Sequence, residues 1–363
     1  MNRTVILSGI GTARPVGSIE QDDAAMLAQT LCASAQHPAR ALSILYGRSG
    51  VQRRGSVLLE SAGAEPSQSF FPPAGGPDDH GPTTAQRMVR YAQEAAPLAE
   101  AAARDALKDA RLFPEAITQL ITVSCTGFSA PGVDAALITR LGLPSTVGRT
   151  HIGFMGCHAA LNGLRVGAAL AAMDPQAHVL VCAVELCSLH FAYGAAPEQW
   201  VANALFADGA GAFVVAPTPH LDAAWRVAAH GSCLFPESHD AMAWRIGDHG
   251  FEMALSPRIP GLIRTHLRPW LIEWLAGQGL SLPQVCSWAI HPGGPRVLDA
   301  VAQALALSSA STAVSAEILA TCGNMSSATM VFLLERLRQQ DAPRPCVALG
   351  FGPGLIAEVA LLR

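Results

Sequence analysis

Short apolar runs alternate along the chain with longer segments whose apolar residues recur at helical spacing. Strand-like runs lie at 5–10, 120–125, 151–154, 179–184, 212–216, 223–230, 287–290 and 347–349. Helical patterns lie at 23–45, 85–111, 133–141, 159–173 and 329–337. We expect Pro97 to kink or split the helix at 85–111. This alternation predicts an α/β protein in which layers of helices cover a largely buried sheet.

Two Pro-rich segments interrupt the pattern. Residues 61–84 are dense in Pro, Gly, Ser and Asp, which predicts a long surface loop. The Pro-Thr-Pro sequence that begins at Pro217 divides the chain into an N-terminal half, 1–217, and a C-terminal half, 218–363. Both halves have strand–helix–strand character, so we expect two related halves although no sequence repeat is evident.

Composition excludes several classes of protein. Half of the residues are hydrophobic, only 14% are charged and the mean hydropathy is +0.29, which predicts a large buried core and excludes global disorder. The net charge is −4 and Lys108 is the only lysine, so nucleic-acid binding is not expected. No apolar run reaches the roughly 20 residues of a membrane span. Nine scattered cysteines without a C-x-x-C pair or a leader predict reduced thiols in the cytoplasm.

The common nucleotide, zinc-protease and hydrolase motifs are absent. Neither G-x-G-x-x-G, a P-loop, H-E-x-x-H nor G-x-S-x-G occurs. His230, Cys233, Glu237 and His239 lie close together, but their spacing matches no zinc pattern. We therefore expect ordinary loop residues there, and neither a metal nor a cofactor.

The most informative segment contains a cysteine at the predicted start of a helix. In G-F-M-G-C-H, Gly153 and Gly156 allow a sharp turn, and Cys157 opens the helix that continues to Met173. The free N–H groups at a helix N-terminus favour a thiolate, as a nucleophile requires. A free Cys is also commonly a small buried hydrophobic residue, so both interpretations are open for Cys157 alone.

Two further turns favour the nucleophile. His291 ends an apolar strand directly before a Pro-Gly-Gly turn, and Asn324 follows Gly323 at the start of the helix at 329–337. Asn324 alone is better explained as a helix cap. Together, Cys157, His291 and Asn324 form the set expected where a thiolate, an imidazole and an amide donor converge on a thioester carbonyl.

The motifs resemble those of the type III polyketide synthases, the chalcone synthase superfamily. The matching strings are I-G-T-A at 10–13, G-F-M-G-C-H at 153–158, A-L-F-A-D-G-A at 204–210, H-P-G-G-P at 291–295, G-N-M-S-S at 323–327 and G-F-G-P-G at 350–354. Their order and separations also match. The resemblance covers nearly the whole chain and implies the layered αβαβα thiolase-like fold in a homodimer.

The resemblance implies a role for each of the three residues. Cys157 carries the starter and the growing chain as thioesters, and His291 holds it as a thiolate by ion pairing. His291 and Asn324 then donate hydrogen bonds to the thioester oxygen of malonyl-CoA while carbon dioxide leaves. The implied substrates are an acyl-CoA starter and malonyl-CoA. The implied products are resorcinols, phloroglucinols or pyrones.

The resemblance also implies cavity and CoA-binding residues. Phe206 matches an aromatic gatekeeper, with an ordinary core Phe as the alternative. Arg48, Arg53 and Arg54 lie where the family binds CoA phosphates, although a solvated basic face explains them nearly as well. Bulky His190 and Trp244 are expected to shrink the cavity or to redirect it. The full set of expected cavity residues is Phe206, Cys125, Cys187, His190, Trp244, Met253, Ser326, Gly352, Pro353 and Gly354.

Two alternatives differ in kind from a polyketide synthase. A condensing enzyme like ketoacyl synthase III also uses Cys, His and Asn, but it performs one extension with an acyl carrier protein. A basic patch that docks the carrier protein would favour that enzyme. A chain with a single lysine gives no support for such a patch. The other alternative is a thiolase-fold scaffold without catalysis, which has no need of all three residues.

Overall fold

The chain folds into two main β-sheets and a set of helices. The computed structural model describes residues 4–32, 39–60, 67–194, 197–218 and 225–363. The strands are β1 (Thr4–Ala13), β2 (Ser18–Glu20), β3 (Arg53–Gly55), β4 (Gln119–Ser124), β5 (Gly148–Gly153), β6 (Val179–Leu186), β7 (Asp208–Thr218), β8 (Val227–Leu234), β9 (Met242–Gly247), β10 (Gly250–Leu255), β11 (Ser287–Ile290), β12 (Cys346–Gly352) and β13 (Ile356–Leu362). The helices are α1 (Gln21–Leu31), α2 (Ala39–Gly47), α3 (Thr84–Ala110), α4 (Val133–Leu141), α5 (Ala159–Met173), α6 (Pro197–Leu205), α7 (Ile259–Gly277), α8 (Pro295–Leu305), α9 (Ser309–Cys322) and α10 (Thr329–Gln339).

Each half of the chain builds one main sheet. The N-terminal sheet has the order β1-β7-β6-β4-β5, in which β4, β5 and β6 are parallel and β7 and β1 join antiparallel. The C-terminal sheet has the order β11-β12-β13-β8, with a parallel β11–β12 pair and antiparallel neighbours. In both sheets the parallel strands follow helical crossovers, as parallel pairing requires.

Strand β6 shows why both faces of the first sheet are covered. All eight of its residues are buried. Val179, Val181 and Ala183 belong to one hydrophobic cluster, whereas Leu180 and Cys182 belong to another. Because successive side chains of a strand point to opposite faces, the sheet contributes to two separate cores.

Five layers result from this packing. Helices α5 and α10 share one cluster with residues of both sheets, so they lie between the sheets. Helices α3 and α4 cover the outer face of the N-terminal sheet, and α7 and α8 cover the outer face of the C-terminal sheet. The order is therefore helix, sheet, helix, sheet, helix. The predicted layered αβαβα thiolase-like fold is confirmed.

The structure corrects several predicted elements. The helical pattern at 23–45 is two helices, α1 and α2, and Pro97 lies inside a single helix α3 that is not split. Capping of α3 by Thr83 sets its first turn, so the predicted loop ends at that residue. Residues 61–66 of that loop and residues 223–224 of a predicted strand lie outside the described residues.

The β9–β10 hairpin was not predicted as a pair of strands. The Pro217 boundary falls inside β7, where Pro217 pairs with Val5. The division of the chain at this residue stays a prediction. Within the described ranges, no helix is long and apolar enough to cross a membrane.

Close approach of β1 to α3 gives a test of the packing. A Cβ added at Gly11 would lie 2.3 Å from the backbone nitrogen of Ala106 and 2.4 Å from the carbonyl oxygen of Ala102. Because backbone cannot yield as a flexible side chain does, we expect Gly11→Ala to lower the free energy of unfolding by about 2 kcal/mol. Urea unfolding measures this change.

Gly277→Ala is the matched control, because nothing lies within 4 Å of an added Cβ at this last residue of α7. Its free energy of unfolding should change by less than about 0.5 kcal/mol. Equal unfolding midpoints for the two variants would contradict the described contact between β1 and α3.

Candidate active site

A cavity of about 470 Å³ lies beside Cys157 and is lined by residues of both halves. Ten of the sixteen predicted site residues line it: Cys157, Phe206, Cys125, Cys187, His190, Trp244, Met253, Ser326, Pro353 and Arg54. The other six do not line it: His291, Asn324, Gly352, Gly354, Arg48 and Arg53. The structure thus brings most of the predicted residues to one cavity.

Cys157 lies in a short 3₁₀ turn, Gly156–His158, that leads directly into α5. Gly156 has φ +76°, and an added Cβ would lie 2.4 Å from Pro353, so this position requires glycine. Cys157 is 8% exposed. Burial raises the pKa of its thiol, while side-chain hydrogen bonds with Ser326 and Asn324 lower it.

Asn324 is held against Cys157 by its backbone and by its own side chain. Its N–H donates to the carbonyl of Leu205 (2.9 Å), and its carbonyl accepts from the N–H of Ala207 (2.9 Å). Its Oδ1 accepts from the N–H of Ser326 (2.9 Å). With Oδ1 so engaged, the Nδ2 group is left as the donor toward Cys157.

His291 follows β11 and is buried, and its N–H donates to the carbonyl of Leu349 (2.8 Å). Neither of its ring nitrogens has a hydrogen-bond partner among the described residues. Burial lowers the pKa of His291, and the charge of His158 lowers it further. Both effects favour the neutral imidazole form of His291.

The thiolate–imidazolium pair predicted for Cys157 and His291 is not joined by a hydrogen bond in the structure. Burial shifts the pKa of each residue toward its neutral form. Removing two charges from water costs more than their attraction returns unless their geometry is close. The ion pair is therefore still only a prediction.

Glu185, at the end of β6, is a fully buried carboxylate that the sequence analysis did not include in the site. It accepts hydrogen bonds from the hydroxyl of Thr126 (2.7 Å), the N–H of Cys125 (3.0 Å) and the hydroxyl of Ser327. Burial raises the pKa of Glu185, and these donors oppose the shift. The only signal in the sequence was an acidic residue that ends an otherwise apolar strand.

Cys125 and Cys187 place two more buried thiols in the cavity wall. The Sγ of Cys125 lies 3.2 Å from the Oγ of Ser326, which also bonds Cys157. Burial and the charge of Glu185 raise the pKa of both Cys125 and Cys187. Both are therefore neutral thiols, and all nine cysteines of the chain are free.

Phe206 lies just before the start of β7. Arg54 forms hydrogen bonds with the backbone of the segment that contains Phe206. One guanidinium nitrogen of Arg54 donates to the carbonyls of Phe206 (3.0 Å) and Asn203. Arg53 instead bonds the hydroxyl of Ser18, and Arg48 is exposed. Arg54 thus donates its hydrogen bonds to backbone carbonyls in the cavity wall. A CoA-binding role for the three arginines stays a prediction.

Only Pro353 of the predicted Gly-Pro-Gly cavity residues lines the cavity. Gly352 faces His158 instead, whose Nε2 lies 2.5 Å from the position of an added Cβ. Gly354, with φ +93°, donates its N–H to the carbonyl of Met242 (3.0 Å). Any side chain at Gly352 would therefore displace His158.

Trp244 and Met253 are cross-strand partners on the β9–β10 hairpin. The indole N–H of Trp244 donates to the carbonyl of Cys125 (2.6 Å), which fixes the hairpin over the cavity. No group of three or more His, Cys, Asp or Glu residues in the described ranges is arranged to hold a metal ion.

The hydrogen bond from Ser326 gives a test of the thiol's environment. Ser326→Ala removes a bond that stabilises the Cys157 thiolate, so the pKa of Cys157 should rise by about one unit. The pH profile of iodoacetamide modification, followed by mass spectrometry of the peptide that contains Cys157, should move to higher pH. Ser308→Ala, at the exposed cap of α9, is the control. An unmoved profile would show that Ser326 does not bond the thiol.

Comparisons with known proteins agree with this site. The family of chalcone and stilbene synthases, N-terminal domain, matches residues 2–219, and its C-terminal domain family matches residues 227–363. The 1,3,6,8-tetrahydroxynaphthalene synthase of Streptomyces peucetius subsp. caesius is 33% identical over 369 aligned residues, covering 100% of this chain and 94% of that protein. The alpha-pyrone synthesis polyketide synthase-like Pks18 of Mycobacterium tuberculosis is 32% identical over 76% of this chain and 72% of its own.

A solved structure is similar over the whole length. PKS-I from the brown alga Ectocarpus siliculosus has a TM-score of 0.94 and 28% identity, covering 100% of this chain and 99% of that chain. The predicted relation to type III polyketide synthases is thereby confirmed. The chain belongs to the chalcone and stilbene synthase family and is a type III polyketide synthase, an acyltransferase.

Proposed function

We propose that this enzyme loads an acyl group from acyl-CoA onto Cys157 and extends it with malonyl-CoA units. The resulting polyketide is then cyclised to a resorcinol, a phloroglucinol or a pyrone. The observation that carries the proposal is the position of Cys157 in the wall of a cavity of about 470 Å³. The backbone and Oδ1 of Asn324 are already bonded, which leaves its Nδ2 group as an amide donor for the site. A buried nucleophile beside an amide donor suits acyl transfer from a thioester.

Loading begins when the sulfur of Cys157 attacks the starter's thioester carbonyl. Neutral His291 accepts the thiol proton and returns it to the departing CoA sulfur, so no net charge remains in the buried site. The unpartnered ring nitrogens of His291 support this role. The product is an acyl thioester on Cys157 and free CoA.

Extension begins when malonyl-CoA loses its carboxylate as carbon dioxide. The electron pair of the broken C–C bond stays on the neighbouring carbon as an enolate, whose oxygen accepts hydrogen bonds from Nδ2 of Asn324 and from the ring nitrogen of His291 that carries the proton. Each such donor contributes about 3 kcal/mol of barrier lowering. The enolate carbon then bonds the acyl carbonyl, and the Cys157 sulfur leaves as a thiolate. For the next extension this thiolate attacks the thioester of the lengthened chain, which returns the chain to Cys157 and releases CoA, whose sulfur takes a proton from solvent.

The names of the relatives support a cyclic product. They are named for alpha-pyrone synthesis, 1,3,6,8-tetrahydroxynaphthalene and 3,5-dihydroxyphenylacetyl-CoA. All the substrates of the proposed reaction are CoA thioesters, and it uses neither a metal nor a further cofactor. The many aliphatic and aromatic residues of the cavity wall suit the folding of a polyketide before its ring closes.

Isotope-labelled malonyl-CoA with a panel of acyl-CoA starters tests the proposal by mass spectrometry. Wild-type enzyme should give labelled polyketides whose masses report the starter and the number of extensions. Cys157→Ala should lower their formation by at least roughly a thousandfold, because the covalent intermediate is lost.

Cys286→Ala, at an exposed thiol, should leave product formation unchanged. Turnover with malonyl-carrier protein but with no CoA thioester would contradict the proposal and favour a ketoacyl synthase III-like enzyme.

We also propose that the active enzyme is a homodimer joined at β5. This strand is the edge of the N-terminal sheet, and Arg149, Thr150 and His151 are exposed along it. Phe128 and Met155, 48% and 37% exposed, lie on the segments that follow β4 and β5. An edge strand flanked by exposed apolar side chains pairs readily with a second copy.

A charge placed on β5 tests the dimer. In a two-fold interface Thr150→Glu brings two new carboxylates together, so we expect it to lower the light-scattering mass from two chains to one. Ala313→Glu, exposed on α9, should leave two chains. A wild-type mass of one chain would be evidence against the dimer.

A further inference from the structure

The β9–β10 hairpin belongs to the C-terminal half of the chain but is fastened to the N-terminal half. The hydrogen bond from the indole N–H of Trp244 to the carbonyl of Cys125 joins the hairpin to the end of β4. At the hairpin turn, the N–H of Gly250 donates to the hydroxyl of Thr84 (2.8 Å), and the N–H of Thr84 donates to the carbonyl of Asp248 (2.8 Å). The position of this hairpin decides where one wall of the cavity lies.

His190, in the N-terminal half, lies between the hairpin and the segment that follows β4 and bonds to both. Its Nδ1 accepts from the N–H of Phe251 (2.9 Å) on β10, and its Nε2 lies 2.6 Å from the carbonyl oxygen of Thr126. Because Nδ1 must accept and Nε2 must donate, only the neutral imidazole with its proton on Nε2 satisfies both partners. The ring also stacks on Phe251, with centroids 4.2 Å apart.

The surroundings of His190 maintain this neutral form. Burial lowers its pKa to about 3, and the positive charge of Arg87 acts in the same direction. Arg87 is fully buried and donates to the carbonyls of Leu189 (2.8 Å) and Phe191 (2.9 Å), one on each side of His190. The backbone that carries the imidazole is therefore held in place as well.

We propose that His190 is a positioning residue that fixes the β9–β10 hairpin at its distance from Thr126 and so sets the depth of the cavity. Cavity depth limits how many malonyl units the chain on Cys157 can accept, so His190 determines product length. The effect on product length rests on the proposed function. The tie, which consists of the two hydrogen bonds by which His190 links Phe251 to Thr126, does not depend on that function.

Two variants distinguish the effect of the hydrogen bonds that hold the hairpin from the effect of the size of the His190 side chain. His190→Phe keeps a ring against Phe251 but removes both hydrogen bonds. Thr84→Val keeps the shape of the side chain but removes the hydroxyl tie at the hairpin turn, and Thr84 does not line the cavity. The control is His266→Phe, whose ring packs on Phe235 and also does not line the cavity.

Hydrogen–deuterium exchange of the whole enzyme measures the tie without any substrate. In His190→Phe, amides at 250–255 should exchange roughly tenfold faster, as expected when a buried backbone hydrogen bond is lost. Thr84→Val should give a smaller increase in the same peptide. Amides of α8 should be unchanged, which shows that the variants are folded, and His266→Phe should match wild type throughout. Unchanged exchange at 250–255 in His190→Phe overturns the inference.

Product masses then test the consequence. With labelled malonyl-CoA, both His190→Phe and Thr84→Val should shift at least a fifth of the product to a different number of extensions. A shift in His190→Phe alone would assign the effect to cavity shape and overturn the positioning role. Absence of labelled product from wild type would overturn the proposed function and the effect on product length with it, while the exchange data would still decide whether the tie exists.

Discussion

Helices α5 and α10 lie between two sheets, and both begin at the wall of the same cavity. Cys157 precedes the first residue of α5, and the segment that starts at Asn324 leads into α10. Because close packing on every side leaves the helices no freedom to shift, their first turns hold fixed positions. The contact between the thiol and its amide donor follows from this packing. The loops alone would not maintain it.

The same burial controls the charges around the cavity. The pKa values of Cys157, His291 and Glu185 are all shifted toward the neutral forms. Glu185 accepts from hydroxyl and N–H donors and has no cationic partner in the part of the chain that the structure describes. Arg87 is the converse, a buried guanidinium bonded to backbone carbonyls. In a buried site, neutral groups avoid the desolvation cost that an ion pair carries.

Much of this arrangement could be predicted from the sequence because it depends on local patterns. Glycine before an apolar helix placed Cys157 at a turn, and the alternation of strands and helices predicted the layers. The roles of Glu185 and His190 could not be predicted, since their partners are donors and carbonyls some 60 residues away. The β9–β10 hairpin was missed for a similar reason. Its strands are stabilised by contacts with the other half of the chain, and their own apolar alternation is weak.

Pairing of β1 with β7 has a consequence for how the enzyme is made. Residues 4–13 pair with residues 208–218 in the main sheet, so the earliest described strand waits for nearly the whole N-terminal half to be synthesised. Until then the polar backbone edge of β6 is also unpaired on that side. Contacts this distant in sequence slow folding and leave aggregation-prone edges open. During translation, a ribosome that stalls before β7 therefore exposes a chain that cannot close its first sheet.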